Sequence, residues 1–186
     1  MDHLTAPEIA AVPIRPGDEV LTSRMRDGSS VVFGRDLVID RLQAAITDLE
    51  AQGTDANLLV CTGEFPAFHH RRPLFTASPL LTGGVLGLAT GTVGVLTPLD
   101  EQQNYGEHKF APLEVVTSAA DPYTADQQAF THATESLLGQ GATMIVLDCM
   151  GYTEQHRSWV RQAGAQVPVI VARSLITRLV AEALSS

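Results

Sequence analysis

Apolar positions along the chain alternate between short runs at strand spacing and longer stretches at helical spacing. Residues 19–34, "EVLTSRMRDGSSVVFG", carry two strand-like runs around Arg26-Asp27-Gly28-Ser29, and Asp-Gly is a hairpin turn signal. Over 36–52, Val38, Leu42, Ala45, Ile46 and Leu49 fall on one helical face, and Gly53 supplies a stop. Residues 57–60 form a short apolar strand that ends at Cys61. Pro66, Pro73 and Pro79 break up 64–92, where the pattern predicts a loop with a short helix, then a helix through "LLTGGVLGLA" weakened by its glycines.

The second half has a cleaner pattern. It predicts a strand at 92–98, a helix over 99–108 started by Pro98, and a strand at 113–119 running into a turn. A helix over 125–138, a strand at 143–148, a helix over 153–163, a strand at 167–172 and a helix over 174–184 follow. Strands alternating with helices imply an α/β protein, with a mostly parallel sheet covered by helices on both faces. Residues 1–18 contain Pro7, Pro13 and Pro16 and read as an extended leader with at most one short helical turn. The domain then spans 19–186, with interdependent halves at about 19–90 and 91–186.

The two halves echo each other. "LEAQGTDANLLVCTG" from Leu49 aligns without a gap to "LLGQGATMIVLDCMG" from Leu137, a shift of 88 residues with six identities in fifteen positions. Leu49, Gln52, Gly53, Leu59, Cys61 and Gly63 recur as Leu137, Gln140, Gly141, Leu147, Cys149 and Gly151. Each copy reads helix, glycine stop, buried strand, cysteine, one residue, glycine. Cys149 stands at the C-terminal lip of its strand, where open α/β sheets bind ligands, although most free cysteines are small buried hydrophobes. A two-fold relation between the halves would bring both cysteines to one crevice.

Two thiols across a crevice suit inversion of a carbon stereocentre beside a carboxylate or carbonyl. One thiolate removes a proton, and a thiol on the opposite face returns one. Thr62-Gly63 and Met150-Gly151-Tyr152-Thr153 follow the cysteines and would offer backbone N–H groups to a substrate anion and to the thiolates. Asp148 would orient Cys149, or else cap the strand end.

Composition narrows the alternatives. A formal charge of −9 argues against a nucleic-acid partner, and the basic stretch "HHRRP" at 69–73 is too small to reverse that. No apolar run is long enough to cross a membrane and no signal pattern opens the chain, so a cytoplasmic protein is expected. Two cysteines in that setting read as thiols rather than a disulfide. The six histidines are scattered without metal-ligand spacing, and the glycines of 83–94 lack a nucleotide-binding arrangement, so neither metal nor cofactor is expected. His156 and Arg157 read either as anion ligands or as a solvated helix face beside Glu154.

"IVLDCMGYTEQHR", "LLVCTGEFP" and "VPVIVARSLITRLVAEAL" resemble the AroM family, which looks related to the Asp/Glu and hydantoin racemase superfamily. The resemblance runs from about Leu4 onward and implies two pseudo-symmetric Rossmann-like halves. It places Cys61 and Cys149 at the two catalytic cysteine positions, with "VGVLTP", and so Thr97, on a substrate-binding strand. Thr62-Gly63 and Met150 depart from the racemases' Cys-Asn-Thr and Gly-Cys-Thr motifs, so the substrate anchors differ. The resemblance also implies an apolar strand ahead of the matching region, which leaves a sheet edge to be covered by the leader and hairpin or by a two-fold dimer.

The expected function is a cofactor-independent racemase or epimerase for a small carboxylate or carbonyl compound. The alternative is a non-catalytic small-anion binding or regulatory protein, and a third option is a one-cysteine decarboxylation or isomerisation. The two-thiol reading expects sulfurs roughly 6–9 Å apart in one cleft and at least one thiol with a depressed pKa.

Overall fold

The computed structural model describes residues 4–15 and 17–185. A leader helix α1 (Ala6–Ala10) is closed by a capping box between Thr5 and Glu8 and leads into the antiparallel hairpin β1 (Val20–Arg24) and β2 (Ser30–Gly34). Helix α2 (Asp36–Ala51) follows, and then β3 (Asn57–Leu59), a loop, β4 (Leu74–Thr76) and α3 (Ala77–Leu88). The second half runs β5 (Val93–Thr97), a 3-10 turn (Asp100–Gln102), α4 (Gln103–Lys109), β6 (Val115–Ala119) and α5 (Gln127–Gly139). It ends with β7 (Met144–Leu147), α6 (Glu154–Gln162), β8 (Val169–Val171) and α7 (Ala172–Leu184).

Strands β6, β5, β7 and β8 form a four-stranded parallel sheet in that order. Its side chains alternate between two cores. Ile145 and Leu147 join Leu96, Phe130, Tyr152 and Val160 on one face, while Val146, Val93 and Val95 join Leu81, Val85 and Ile176 on the other. This doubly covered position explains why the run 144–147 is apolar throughout, and each such aliphatic side chain contributes about 1.5–3 kcal/mol by leaving water.

The internal repeat has a physical basis in the fold. Gly53 and Gly141, 88 residues apart, both adopt the left-handed backbone, at φ 87° and 91°, so each glycine ends its helix in the same way. The closing hydrogen bonds also correspond: the Thr54 and Ala142 N–H groups donate to the Leu49 and Leu137 carbonyls. After this stop each chain enters a strand, β3 or β7, that delivers its cysteine. Both β4 and β8 then pass without a loop into a helix, α3 or α7, and these two helices pack together. The approach is tight, since a Cβ on Gly84 would lie 2.8 Å from Leu175.

Three elements depart from the sequence reading. Strand β4 occupies part of the proline-broken stretch, where pairing to β3 in parallel compensates for weak local preference. Helix α4 begins at Gln103 rather than after Pro98, with a 3-10 turn between, and it extends to Lys109. The hairpin does not extend the β3–β4 sheet; it is a separate two-stranded sheet. Its Leu21 and Phe33 instead pack with Ile9 and Val38 into a small third core, against which Cys61 and Phe65 lie.

Candidate active site

Cys61, just beyond β3, and Cys149, just beyond β7, line one cleft of about 430 Å³. The loops at the C-terminal ends of the two strands form its floor, with Thr62, Gly63, Asp148, Met150 and Gly151 among the lining residues. Leu21, Thr22 and Ser23 of β1 and Phe33 of β2 lie over it, and Gln102 and Tyr123 complete the wall. Gln102 holds the hairpin by donating its amide to the Val20 carbonyl at 2.8 Å. Thr22 also lines the cleft, and its hydroxyl is buried without a hydrogen-bond partner among the described residues.

The recurring Cys-x-Gly has one local cause. The Gly151 N–H donates to the Cys149 sulfur at 3.3 Å, and the Gly63 N–H favours the Cys61 thiolate from the corresponding position. Both glycines are also hemmed in. A Cβ on Gly63 would sit 2.8 Å from a Leu21 methyl, and one on Gly151 would sit 2.7 Å from the Tyr123 hydroxyl and 2.8 Å from Pro122. The Leu21 tip can move, but Pro122 cannot. Gly151→Ala is therefore expected to destabilise the fold by about 1–3 kcal/mol and Gly63→Ala by clearly less, as read by thermal unfolding. Equal effects would contradict the asymmetry.

A buried ion pair joins the two halves of the site. Lys109, at the end of α4, donates to both Asp148 oxygens at 2.7 Å and to the Thr62 carbonyl at 2.6 Å. Its side chain is 1% exposed and that of Asp148 is 6% exposed. All three ammonium donors are thereby used. The pair ties the loop after Cys61 to the residue before Cys149. Arg173 steadies the far side of the second loop with two bonds to the Met150 carbonyl.

Neither thiol has the depressed pKa expected from a helix-terminus field. Burial pushes Cys61 up, outweighing the Gly63 N–H and the Lys109 charge. Burial also raises Cys149, from an ordinary 9.0 to about 12, and a Cys61 thiolate or the Asp148 carboxylate would push it further up. Burial likewise raises Tyr123 to about 12, so its hydroxyl stays protonated beside Cys149. For Cys149 the unfolded thiol ionises first as pH rises, so stability present below pH 9.0 is lost progressively toward about 12. Cys149→Ser is expected to flatten that alkaline loss in urea unfolding followed against pH. An unchanged slope would remove Cys149 as its source.

Other residues singled out in the sequence lie elsewhere. Thr97 is buried and donates to the Leu99 carbonyl at 3.0 Å, and Tyr152 is fully buried with its hydroxyl on the Ala120 carbonyl at 2.8 Å. Thr153 caps α6. These three do not line the cysteine cleft. His156 is buried rather than part of a solvated face. Its Nδ1 accepts the Thr153 N–H at 2.9 Å while its ring stacks on Phe130 at 4.8 Å, and burial holds its pKa below the usual value. Arg157 pairs with Glu154 at 2.9 Å. The sequence reading passed over Lys109, Tyr123, Gln102 and Thr22. Only Lys109 left a signal, a lone cation in the otherwise mild "HKFAP".

The sequence matches the AroM protein family over residues 1–184. The chain belongs to the AroM family. Solved structures similar to this AroM protein include a decarboxylase and two racemases. A liganded mutant of arylmalonate decarboxylase matches at TM-score 0.62 and 18% identity, over 79% of this chain and 74% of that one. Glutamate racemase isoform RacE1 from Bacillus anthracis matches at TM-score 0.58 and 15% identity, over 79% and 64%. Allantoin racemase from Klebsiella pneumoniae matches at TM-score 0.54 and 20% identity, over 77% and 66%. The AroM chain thus spans just under two thirds of both racemases. No curated protein matches the sequence. No helix among the described residues is long and apolar enough to cross a membrane.

Proposed function

We propose that this AroM protein is a cofactor-independent racemase or epimerase of a small carboxylate or carbonyl compound, using Cys61 and Cys149 as the proton-transferring pair. The observation that carries the reading is the shared cleft: two thiols from separate halves line it, each with a glycine two residues on whose N–H favours the thiolate. Proton removal by one sulfur and return by the other on the opposite face inverts a carbon held between them. Thr62, Gly63, Met150 and Gly151 line the same cleft and hold the substrate anion, with the Thr22 and Tyr123 hydroxyls as further donors. The cleft volume, about 430 Å³, suits a small molecule.

A second reading, a non-catalytic binder of small anions, draws on the upward displacement of both thiols by burial. A neutral thiol binds without reacting. A one-thiol decarboxylation or isomerisation would use only one of them. Incubating the protein in D2O with a panel of small chiral 2-substituted carboxylates, followed by proton NMR and circular dichroism, separates these readings. Deuterium uptake at the stereocentre with loss of optical activity is the expected result. Saturable binding without exchange would establish the binder instead.

A further inference from the structure

The geometry points to the buried Lys109–Asp148 pair as the device that gives the two thiols unequal roles, with Cys61 as the proton acceptor and Cys149 as the proton donor. The pair is neutral as a whole, but its two charges are tied to different cysteine loops. Its cation bonds to the carbonyl of Thr62, the residue directly after Cys61. Its anion belongs to Asp148, the residue directly before Cys149. Lys109 and Cys61 also line a second, smaller cavity of about 320 Å³ with Ser78 and Thr82, whereas Asp148 faces the two-cysteine cleft.

A buried dipole of this kind acts with opposite sign on two sites at its two ends, because interior charges are weakly screened. The ordering of influences follows that geometry. At Cys61 the downward pull of Lys109 exceeds the upward push of Asp148, and at Cys149 the order is reversed. The internal repeat makes the two thiols alike in backbone and strand position, so beyond the burial that raises both, an opposite electrostatic bias must come from charges outside the repeat. Asp148 supplies the difference at the aligned position, where the first half has Val60. Lys109 comes from α4, which the aligned segments do not include.

The inference deepens the two-thiol reading and rests on it for its use in turnover. In that use, the Cys61 thiolate takes the substrate proton and becomes a thiol. The Cys149 thiol gives its proton to the opposite face and becomes the thiolate. Protons and charge balance, and the reverse reaction restores the starting state. Lys109 and Asp148 touch no reacting atom and are positioning residues.

The test needs no substrate. The rate of iodoacetamide alkylation at each cysteine, resolved by mass spectrometry of the full chain between about pH 6 and 9, reports each thiolate fraction. In the wild-type protein Cys61 is expected to react at lower pH than Cys149. Lys109→Met should slow Cys61 by about tenfold or more, the effect of losing one close opposite charge. Asp148→Asn should accelerate both cysteines, Cys149 more. A merely structural role predicts the contrary sign for Lys109→Met, since a loosened fold admits water and speeds both thiols. Acceleration of Cys61 in that variant, or no change at either cysteine in Asp148→Asn, would overturn the assignment. If Lys109→Met fails to fold, the wild-type order still decides, and Cys149 ionising first sinks the idea. A protein that keeps the predicted order yet exchanges no substrate proton would count against the racemase reading alone.

Discussion

Replacing Lys109 with methionine is expected to remove about 3–5 kcal/mol of folding stability, the range for breaking a fully buried ion pair from one side. The loss comes from what remains behind. The Asp148 carboxyl group would be left without its cation with 6% of its side chain exposed, and the Thr62 carbonyl would lose a 2.6 Å donor. Lys109→Met/Asp148→Leu removes both charges and is expected to recover most of that stability, because two apolar side chains replace a pair whose mutual attraction mainly offset its own desolvation. Recovery should fall short by about 1–3 kcal/mol, since the Thr62 carbonyl remains unpaired. Urea unfolding with unchanged denaturant dependence is the measurement. A Lys109→Met loss below about 1 kcal/mol would show that water reaches the site.

The parts of the fold that were legible are those where local physics and tertiary context agree. The run 144–147 is apolar at every position because it is covered on both sides, and its length with a glycine before it already marks a buried strand. The repeat was legible for the same reason: Gly53 and Gly141 are where a left-handed helix stop is required. Strand β4 was not legible, because three residues flanked by Pro73 and Pro79 carry no periodicity and pair only through their parallel register with β3. The placement of the hairpin was also hidden. Its turn chemistry identifies a hairpin, but Leu21 and Phe33 face Ile9 and Val38 rather than a sheet edge, and nothing in the pattern distinguishes those partners.

The site divided along similar lines. Both cysteines and both glycines could be found because the repeat aligns them. Tyr152 and Thr97 carry polar groups near the cysteine loops, but each hydroxyl reaches a backbone carbonyl instead of the cleft. Lys109 and Asp148 lie 39 positions apart, and no local rule pairs them. The expected low thiol pKa failed for an electrostatic reason. A glycine N–H and a lysine already paired with Asp148 do not offset the burial of either sulfur.

Cys61→Ser and Cys149→Ser are each expected to lower racemisation by about 10²–10⁴-fold, the usual contribution of one positioned acid or base, but they should fail in opposite ways. In the proposed mechanism each sulfur serves one face of the bound carbon. With Cys149→Ser, Cys61 still removes and returns a proton on its own face, so one enantiomer exchanges its proton for solvent deuterium without inversion. With Cys61→Ser the other enantiomer does so, and more slowly at neutral pH, because Cys149 is the harder thiol to ionise, at about 12. Serine replaces sulfur with a smaller hydroxyl at two half-buried positions, so both variants should remain folded. NMR of each pure enantiomer in D2O reads the exchange, and circular dichroism reads the inversion. The decisive feature is the crossed pattern. If one substitution abolishes exchange of both enantiomers while the other leaves racemisation intact, a single thiol does the chemistry and the second serves the cleft only as a small side chain. If both variants racemise as the wild type does, the proton-transferring groups lie elsewhere in the cleft, and the protonated Tyr123 beside Cys149 becomes the residue to replace next.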